Sequence, residues 1–421
     1  ILTNINMETQ IALEILSKFK QDKSYLNLTI NAYFNRYDLT RQQKDFITRV
    51  VYGTVQNMLL LEYILKPHLH MRVKTYEKML LLMSLYQHEM MDSIPDYAII
   101  NEAVELAKKK KGMKTARFIH AILQKTFQSS YQLDDLPPLE RISIGTSHPL
   151  WLVKMFDKQY GYEETKRICH AFLEVPHHCA RVNTLLTSKE ALLKDSKWQE
   201  AKLSPDGLYY SGHHIASDEA FIKGYVTIQD ESSQLVARLL NPQASDYVLD
   251  MCCAPGSKTT HLAMLMNNQG SIEAYDLYAH KIDLVQQQIQ RLKVKNVHTH
   301  VGDSTLLKDV YPSESFDKIL CDAPCSGLGV LARKPEIKYH ESSAMDEMIA
   351  IQEKLLENAY FLLKKGGNIV YSTCTLNKKE NEKQIEKFMT KYPDMKKRKE
   401  LTILPYQYHS DGFYMCLLEK E

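Results

Sequence analysis

The chain carries no strong excess of either charge. Its 421 residues sum to a net charge of +2, so no global field draws it to nucleic acid, and any basic surface has to be local. Its eight cysteines include no C-x-x-C pair. The usual zinc and thioredoxin spacings are therefore absent, and eight thiols in this length do not make a disulfide framework. The longest apolar runs, such as residues 79–83, fall far short of the ~20 residues a membrane helix needs. Neither G-x-G-x-x-G nor a P-loop occurs, so a phosphate cradle is not the default. No signal peptide is visible at the start of the sequence. These absences lead us to expect a cytoplasmic, reduced, metal-free monomer with no membrane partner. What is present is ordinary for a globular protein: 44% hydrophobic and 25% charged residues. The length suggests two or three domains.

Residues 1–135 read as helices only. Ile11, Ile15 and Phe19 share one face; Ile47, Val51, Val55 and Met58 share another; Ile100, Val104 and Ala107 a third. Phe118, Ile122 and Lys125 continue the pattern. The stretch 79–86 is apolar almost all round and predicts a central helix. Pro95-Asp96 fits a helix start, and the run of lysines at 108–111 fits a helix end. Asp134-Asp-Leu-Pro-Pro138 is a linker by composition. Residues 136–228 hold a helical stretch from His148 to about Phe172, then short strands at 180–184 and 207–210, a small α+β module in which Trp151 and Trp198 are expected to pack. From Tyr225 the period changes. Strands at 246–250, 271–276, 297–301, 316–322, 368–373 and 412–418 alternate with helices at 257–266, 279–292 and 345–363. Gly366-Gly367 reads as the stop of the last helix. Residues 229–421 are thus expected to fold as an α/β domain with a doubly wound parallel sheet.

Ligands in such sheets bind beyond the strand C-termini, and the chemistry-bearing residues fall there. The run I-L-C-D-A-P-C-S-G at 319–327 ends a strand at Asp322, and Pro324 forbids its continuation. A carboxylate and the Cys325 thiol are delivered together. Cys374 sits just past another strand. Cys252, Cys253, Cys321 and Cys416 lie in or beside apolar strands and read as small buried hydrophobes. A free thiol titrates near ~8.5 and needs help to ionise, which Lys258 is placed to give. The turn D-M-C-C-A-P-G-S-K-T-T at 250–260 brings backbone amides and a helix N-terminus toward a ligand. Asp276 ends the second strand, where an acidic residue binds ribose hydroxyls, and Asp303 follows the third. Each Asp alone fits a helix cap equally well; three in order favour a nucleoside cofactor.

These residues carry a resemblance. C-C-A-P-G-S-K-T (252–259), D-A-P-C-S-G (322–327) and Y-S-T-C-T (371–375), with Gln229-Asp230 before them and Asn381 in K-E-N-E after, are similar to the RNA cytosine-5 methyltransferase family. D-F-I-T-R-V-V-Y-G-T-V (45–55) and I-P-D-Y-A-I-I-N-E-A-V-E-L-A-K (94–108) resemble the RNA-binding protein NusB. The whole resembles bacterial 16S ribosomal RNA methyltransferases of the Sun or Fmu type. The resemblance implies a Rossmann-like, S-adenosylmethionine-dependent methyltransferase domain, preceded by an all-α NusB-like domain and a small α+β module, both RNA-binding. It implies Cys374 as nucleophile, Cys325 as the group that helps release product, and Asp322 near cytosine N3 and the cofactor. It implies cofactor contacts from Cys252, Cys253, Ala254, Pro255, Gly256, Ser257, Lys258, Asp276 and Asp303. The partner would be 16S ribosomal RNA or a small-subunit precursor. Two departures bear on the cofactor. Ser257 stands where Gly is usual, and would be strained if the turn needs positive φ there. Lys281 stands where Arg is common. A non-catalytic RNA-binding protein and a methyltransferase of another substrate class are the rivals; the Asp322, Cys325 and Cys374 set argues against both.

Overall fold

A computed structural model describes residues 6–340 and 344–421. The chain forms two compact units, one of residues 1–173 with 331–340, the other of 174–330 with 341–421. Among the described residues no helix is long and apolar enough to cross a membrane.

The first unit is helical: α1 (Met7–Asp22), α2 (Leu26–Arg36), α3 (Arg41–Gln56), α4 (Met58–Leu65), α5 (Thr75–Met90), α6 (Asp96–Lys111), α7 (Met113–Phe127), α8 (Pro138–Gly145), α9 (Leu150–Tyr160) and α10 (Tyr162–Ala171). Helix α5 is the centre, buried on every side from Met79 to Gln87, as its all-round apolar sequence requires. Ile11, Ile15 and Phe19 bury against it on α1. Four expectations shift. Met58 belongs to α4, because the helix breaks at Asn57. The buried stripe of α6 is Ile99, Ala103, Leu106 and Ala107, with Ile100 and Val104 on its flank. Lys125 is exposed on α7. Trp151 is 36% exposed, whereas Trp198 is buried.

The returning stretch 331–340 is held by polar contacts within this unit. The Glu336 carboxylate accepts from the Leu26 amide at 3.2 Å. The Tyr339 hydroxyl donates to the Val55 carbonyl. Lys338 is fully buried, and its Nζ donates to the backbone and side-chain oxygens of Gln56 at 2.9 and 3.1 Å. Burial pushes its pKa from 10.5 down to about 7, since a cation is disfavoured away from water.

The second unit holds two sheets. The smaller contains β1 (Cys179–Val182), β2 (Trp198–Glu200), β3 (Gly207–Tyr210) and β4 (Val226–Ile228), antiparallel in the order β2-β3-β1-β4, with short helices α11 (Lys189–Leu192) and α12 (Glu219–Ile222). Helix α13 (Glu231–Leu240) follows, capped by Asp230. Then come β5 (Tyr247–Asp250), α14 (Ser257–Leu265), β6 (Ser271–Asp276), α15 (Ala279–Arg291), β7 (Val297–Val301), β8 (Phe316–Asp322), α16 (Ala344–Leu362), β9 (Leu363–Thr373), α17 (Glu382–Lys391), β10 (Met395–Ile403), α18 (Pro405–Tyr408) and β11 (Phe413–Lys420). Their sheet runs β10-β11-β9-β8-β5-β6-β7. Strands β5 to β9 are parallel, while β11 and β10 run antiparallel. The sheet is therefore Rossmann-like but mixed. Gly366 does not close a helix: α16 ends at Leu362, and Gly366, at φ +77°, lies in a bulge of β9 between the Leu363–Phe316 and Asn368–Lys318 pairs.

Lys338 makes a pH test possible. Its folded value lies below its unfolded one, so between pH 7 and 10.5 the unfolded chain holds more protons. Stability then rises with pH across that window, by up to about 1.4 kcal/mol per pH unit from this group. Lys338→Met should remove that slope from urea unfolding curves recorded between pH 7 and 9.5. Parallel curves for the two proteins would contradict the assignment.

Candidate active site

Strands β8 and β9 pair in parallel so that Asp322 lies opposite Ser372. The chain leaves both strands at the same edge, which brings Cys325 and Cys374 together: their sulfurs are 3.4 Å apart, and both residues are partly exposed. The hydrogen bond to Cys374, with burial, raises the Cys325 thiol well above its ordinary value. Either sulfur can donate in this contact, so the two thiols share a proton position between them. Asp322 sits beside them. Its Oδ1 accepts from the Ser372 hydroxyl at 2.7 Å and its Oδ2 from Lys258 Nζ at 2.7 Å. Burial works against the Lys258 charge, yet Asp322 holds its pKa above the usual value, and Cys374 adds to the effect. The ammonium also lies over the Phe413 ring, 5.3 Å from its centroid. The help expected from Lys258 thus comes mainly as a salt bridge to Asp322.

The loops are fixed from behind by two members of the K-E-N-E motif, Asn381 and Glu380. Asn381 is buried and straddles Cys374: its Oδ1 accepts from the Thr373 hydroxyl at 2.6 Å and its Nδ2 donates to the Thr375 carbonyl at 2.9 Å. Buried Glu380 accepts from the Ser326 amide and hydroxyl, from Asn377 and from Gln352. One carboxylate therefore ties the Cys325 loop to the Cys374 loop. Gly329 donates its N–H to the Cys374 carbonyl and accepts from the Gly412 N–H.

The strand order β8-β5-β6-β7 sets the remaining acids along one edge. Asp250, buried at the end of β5, brackets the turn after it, accepting from the Cys252 amide and the Thr259 hydroxyl. Burial raises its pKa to about 7. Cys253 is buried and Cys252 half-buried, and burial raises both thiols. Ala254 and Pro255 lead to Gly256, whose φ is +104°. A Cβ there would meet the Val285 backbone at 3.2 Å, so this glycine is required by conformation and by space. Ser257 has no positive φ; the strain anticipated there falls on Gly256 instead. Asp276 closes β6, accepting from the Tyr278 amide, with Lys281 Nζ at 3.7 Å. Asp303 caps a short 3-10 turn through the Thr305 amide and hydroxyl, so the capping alternative is realised there. Exposed Leu277 and Tyr278 follow Asp276.

Gly329 supplies a direct test of this packing. A methyl group there would lie 1.9 Å from the Gly412 carbonyl oxygen and 2.8 Å from that of Cys374. Gly329→Ala should destabilise the protein by about 2 kcal/mol or more in urea unfolding, as overpacked backbone does; an unchanged midpoint would contradict the geometry.

Comparison with known proteins gives this edge a context. Family models match residues 237–419 to 16S rRNA methyltransferase RsmB/F, residues 8–128 to the NusB family and residues 148–213 to the Methyltr_RsmF/B-like, ferredoxin-like domain. The probable ribosomal RNA small subunit methyltransferase B of Bacillus subtilis (strain 168) is 37% identical, with 98% of each chain covered. That of a Synechocystis strain is 32% identical, covering 98% of this chain and 99% of its own. Among solved structures, PH0851 superposes with a TM-score of 0.83 over 98% of both chains at 23% identity, a likeness of fold. NSun6 from Pyrococcus horikoshii, solved with SFG, has a TM-score of 0.60 at 26% identity, covering 65% of this chain and 98% of its own. Matched end to end by relatives of this closeness, the chain belongs to the 16S rRNA methyltransferase RsmB/F family.

Proposed function

We propose that this protein transfers a methyl group from S-adenosylmethionine to C5 of a cytosine in 16S ribosomal RNA, through a covalent bond between Cys374 and ring carbon C6. The observation that carries the proposal is the pair of thiols 3.4 Å apart beside the Asp322–Lys258 ion pair. The names of the bacterial relatives support a small-subunit RNA substrate. SFG is an analogue of S-adenosylmethionine, and its presence in the archaeal NSun6 structure supports that donor. The residues at the strand edge suit it. The bracketed turn from Cys252 to Lys258 offers backbone amides, Asp276 suits two ribose hydroxyls, and Leu277 and Tyr278 offer an apolar surface to a purine. When bound, S-adenosylmethionine supplies an electrophilic methyl group.

The protein's own groups do the rest. Cytosine C5 is a poor nucleophile. The Cys374 thiolate adds to C6, and the displaced electron pair makes C5 enamine-like and able to take the methyl group; one hard step becomes two easier ones. Asp322, held by Ser372 and Lys258, hydrogen-bonds the ring near N3 and stabilises the charge that develops there. Once Cys374 is bonded to carbon, the thiol–thiol hydrogen bond, the largest cause of the raised Cys325 value, is gone. Cys325 can then lose its proton to water and accept the C5 proton. The electrons of that C–H bond re-form C5=C6 and expel the Cys374 thiolate. We assign RNA binding to residues 1–135 and 136–228, ahead of the catalytic residues 229–421. A ribosomal substrate implies the cytoplasm.

Two variants test the division of labour in reactions containing 16S RNA and tritiated methyl donor. Cys374→Ala should lower methyl transfer by at least a thousandfold, and normal transfer by that variant would refute the nucleophile assignment. Cys325→Ala should accumulate a protein–RNA adduct that survives denaturing electrophoresis. If free protein is all that is seen, Cys325 has no part in release.

A further inference from the structure

Arg181 lies on β1 of the small antiparallel sheet, in a different layer from the strand edge that holds the thiols, and it is 1% exposed. Its guanidinium reaches the turn after β5. Nη1 donates to the Ser257 carbonyl and to Gln229 Oε1, and Nη2 donates to the Thr260 hydroxyl at 3.1 Å. Ser257 is the first residue of α14, and the Thr260 hydroxyl in turn donates to the Gly256 carbonyl at 2.8 Å. The first turn of α14, the segment that follows Gly256, is therefore gripped from outside by one side chain. Asp250 grips the same turn from inside through Cys252 and Thr259.

The chemistry of this arrangement is costly for stability alone. All three acceptors are neutral oxygens, the Nε finds no acceptor among the described residues, and burial lowers the pKa to about 9. No carboxylate bonds the guanidinium directly, and Asp206 only partly offsets its burial; a buried cation so placed is expensive. A second arginine is held in the same way, by neutral oxygens, with its Nε unpartnered among the described residues and its pKa lowered by burial to about 10, and differs in where it reaches. Arg291, at the end of α15, crosses the same seam in the opposite direction. It donates to the Phe221 and Val226 carbonyls and to the Thr227 hydroxyl, and stacks on Phe221 at 3.9 Å. Arg291 joins the small sheet to the larger one without touching residues 256–260.

We propose that Arg181 is a positioning residue for the methyl donor: it sets the first turn of α14 so that the amides and Lys258 present themselves to S-adenosylmethionine. This rests on the reading that the turn from Cys252 to Lys258 holds that molecule. Losing hydrogen bonds to a charged group typically weakens an interaction by roughly tenfold to a hundredfold. Arg181→Met in the full-length protein should raise the KM for S-adenosylmethionine, and its Kd by calorimetry, at least tenfold. Arg291→Met should lose comparable thermal stability with both constants unchanged. Arg181→Lys should fall between wild type and Arg181→Met, because one ammonium can hold the Ser257 carbonyl but not all three oxygens. Unchanged constants in Arg181→Met, or equal increases in both methionine variants, would overturn the proposal. Should Arg181→Met fail to fold, Thr260→Val carries the test: a severalfold rise in KM supports it and an unchanged KM refutes it. Wild-type protein that binds no S-adenosylmethionine would instead refute the underlying reading of the turn.

Discussion

The parallel pairing of β8 with β9 is the constraint from which the site follows. With Asp322 opposite Ser372, the two chains leave the sheet as neighbours, and thiols 49 residues apart in sequence meet at 3.4 Å. Nothing local to either cysteine does this. The pairing depends on a buried core under those strands, where Ile319, Cys321, Ile369 and Tyr371 are wholly enclosed. It also depends on the hub at Glu380, which joins the loop after β8 to the loop after β9. The register, the core and the hub together turn two ordinary cysteines into a coupled pair.

The electrostatics of the edge form one connected set. Lys258 offsets Asp322, and its charge reaches Cys374. The contact with Cys374, together with burial, holds the Cys325 thiol above its ordinary value. The state of one thiol therefore sets the readiness of the other, which suits a reaction that needs a nucleophile first and a base afterwards. Such an arrangement works only if the loops hold still, and the fixed points are numerous: Asn381 on both sides of Cys374, Gly329 behind it, Asp250 and Arg181 on the turn after β5.

Much of this was legible in the sequence. The long amphipathic helices, the burial of α5 and the parallel strands β5 to β9 follow from apolar spacing, and Asp322, Cys325 and Cys374 stand where the strand pattern puts them. The helix α2 went unread although Leu26, Ile30, Tyr33 and Phe34 recur at helical spacing: polar residues interrupt the stripe, no side chain caps its start, and its aromatics are only partly buried. Strand β10 was missed because Met395–Ile403 reads as a basic run; as an edge strand it leaves its lysines in water. Helix and bulge both end a run with glycine, so Gly366 misled. The supporting roles of Gly329 and Arg181 were invisible for a different reason: each acts through partners far away in sequence. Glu380 stands in the K-E-N-E motif, but its tie to Ser326 and Gln352 spans the chain and could not be read from it.

The most direct test of the central claim is to locate the bond to RNA. A 16S RNA substrate containing 5-fluorocytidine has no C5 proton to remove, so the covalent species should persist after methyl transfer. Protease digestion and mass spectrometry of that species should find a methylated fluorocytidine on the peptide containing Cys374. The same adduct on the peptide containing Cys325, or no adduct with either thiol, would contradict the account.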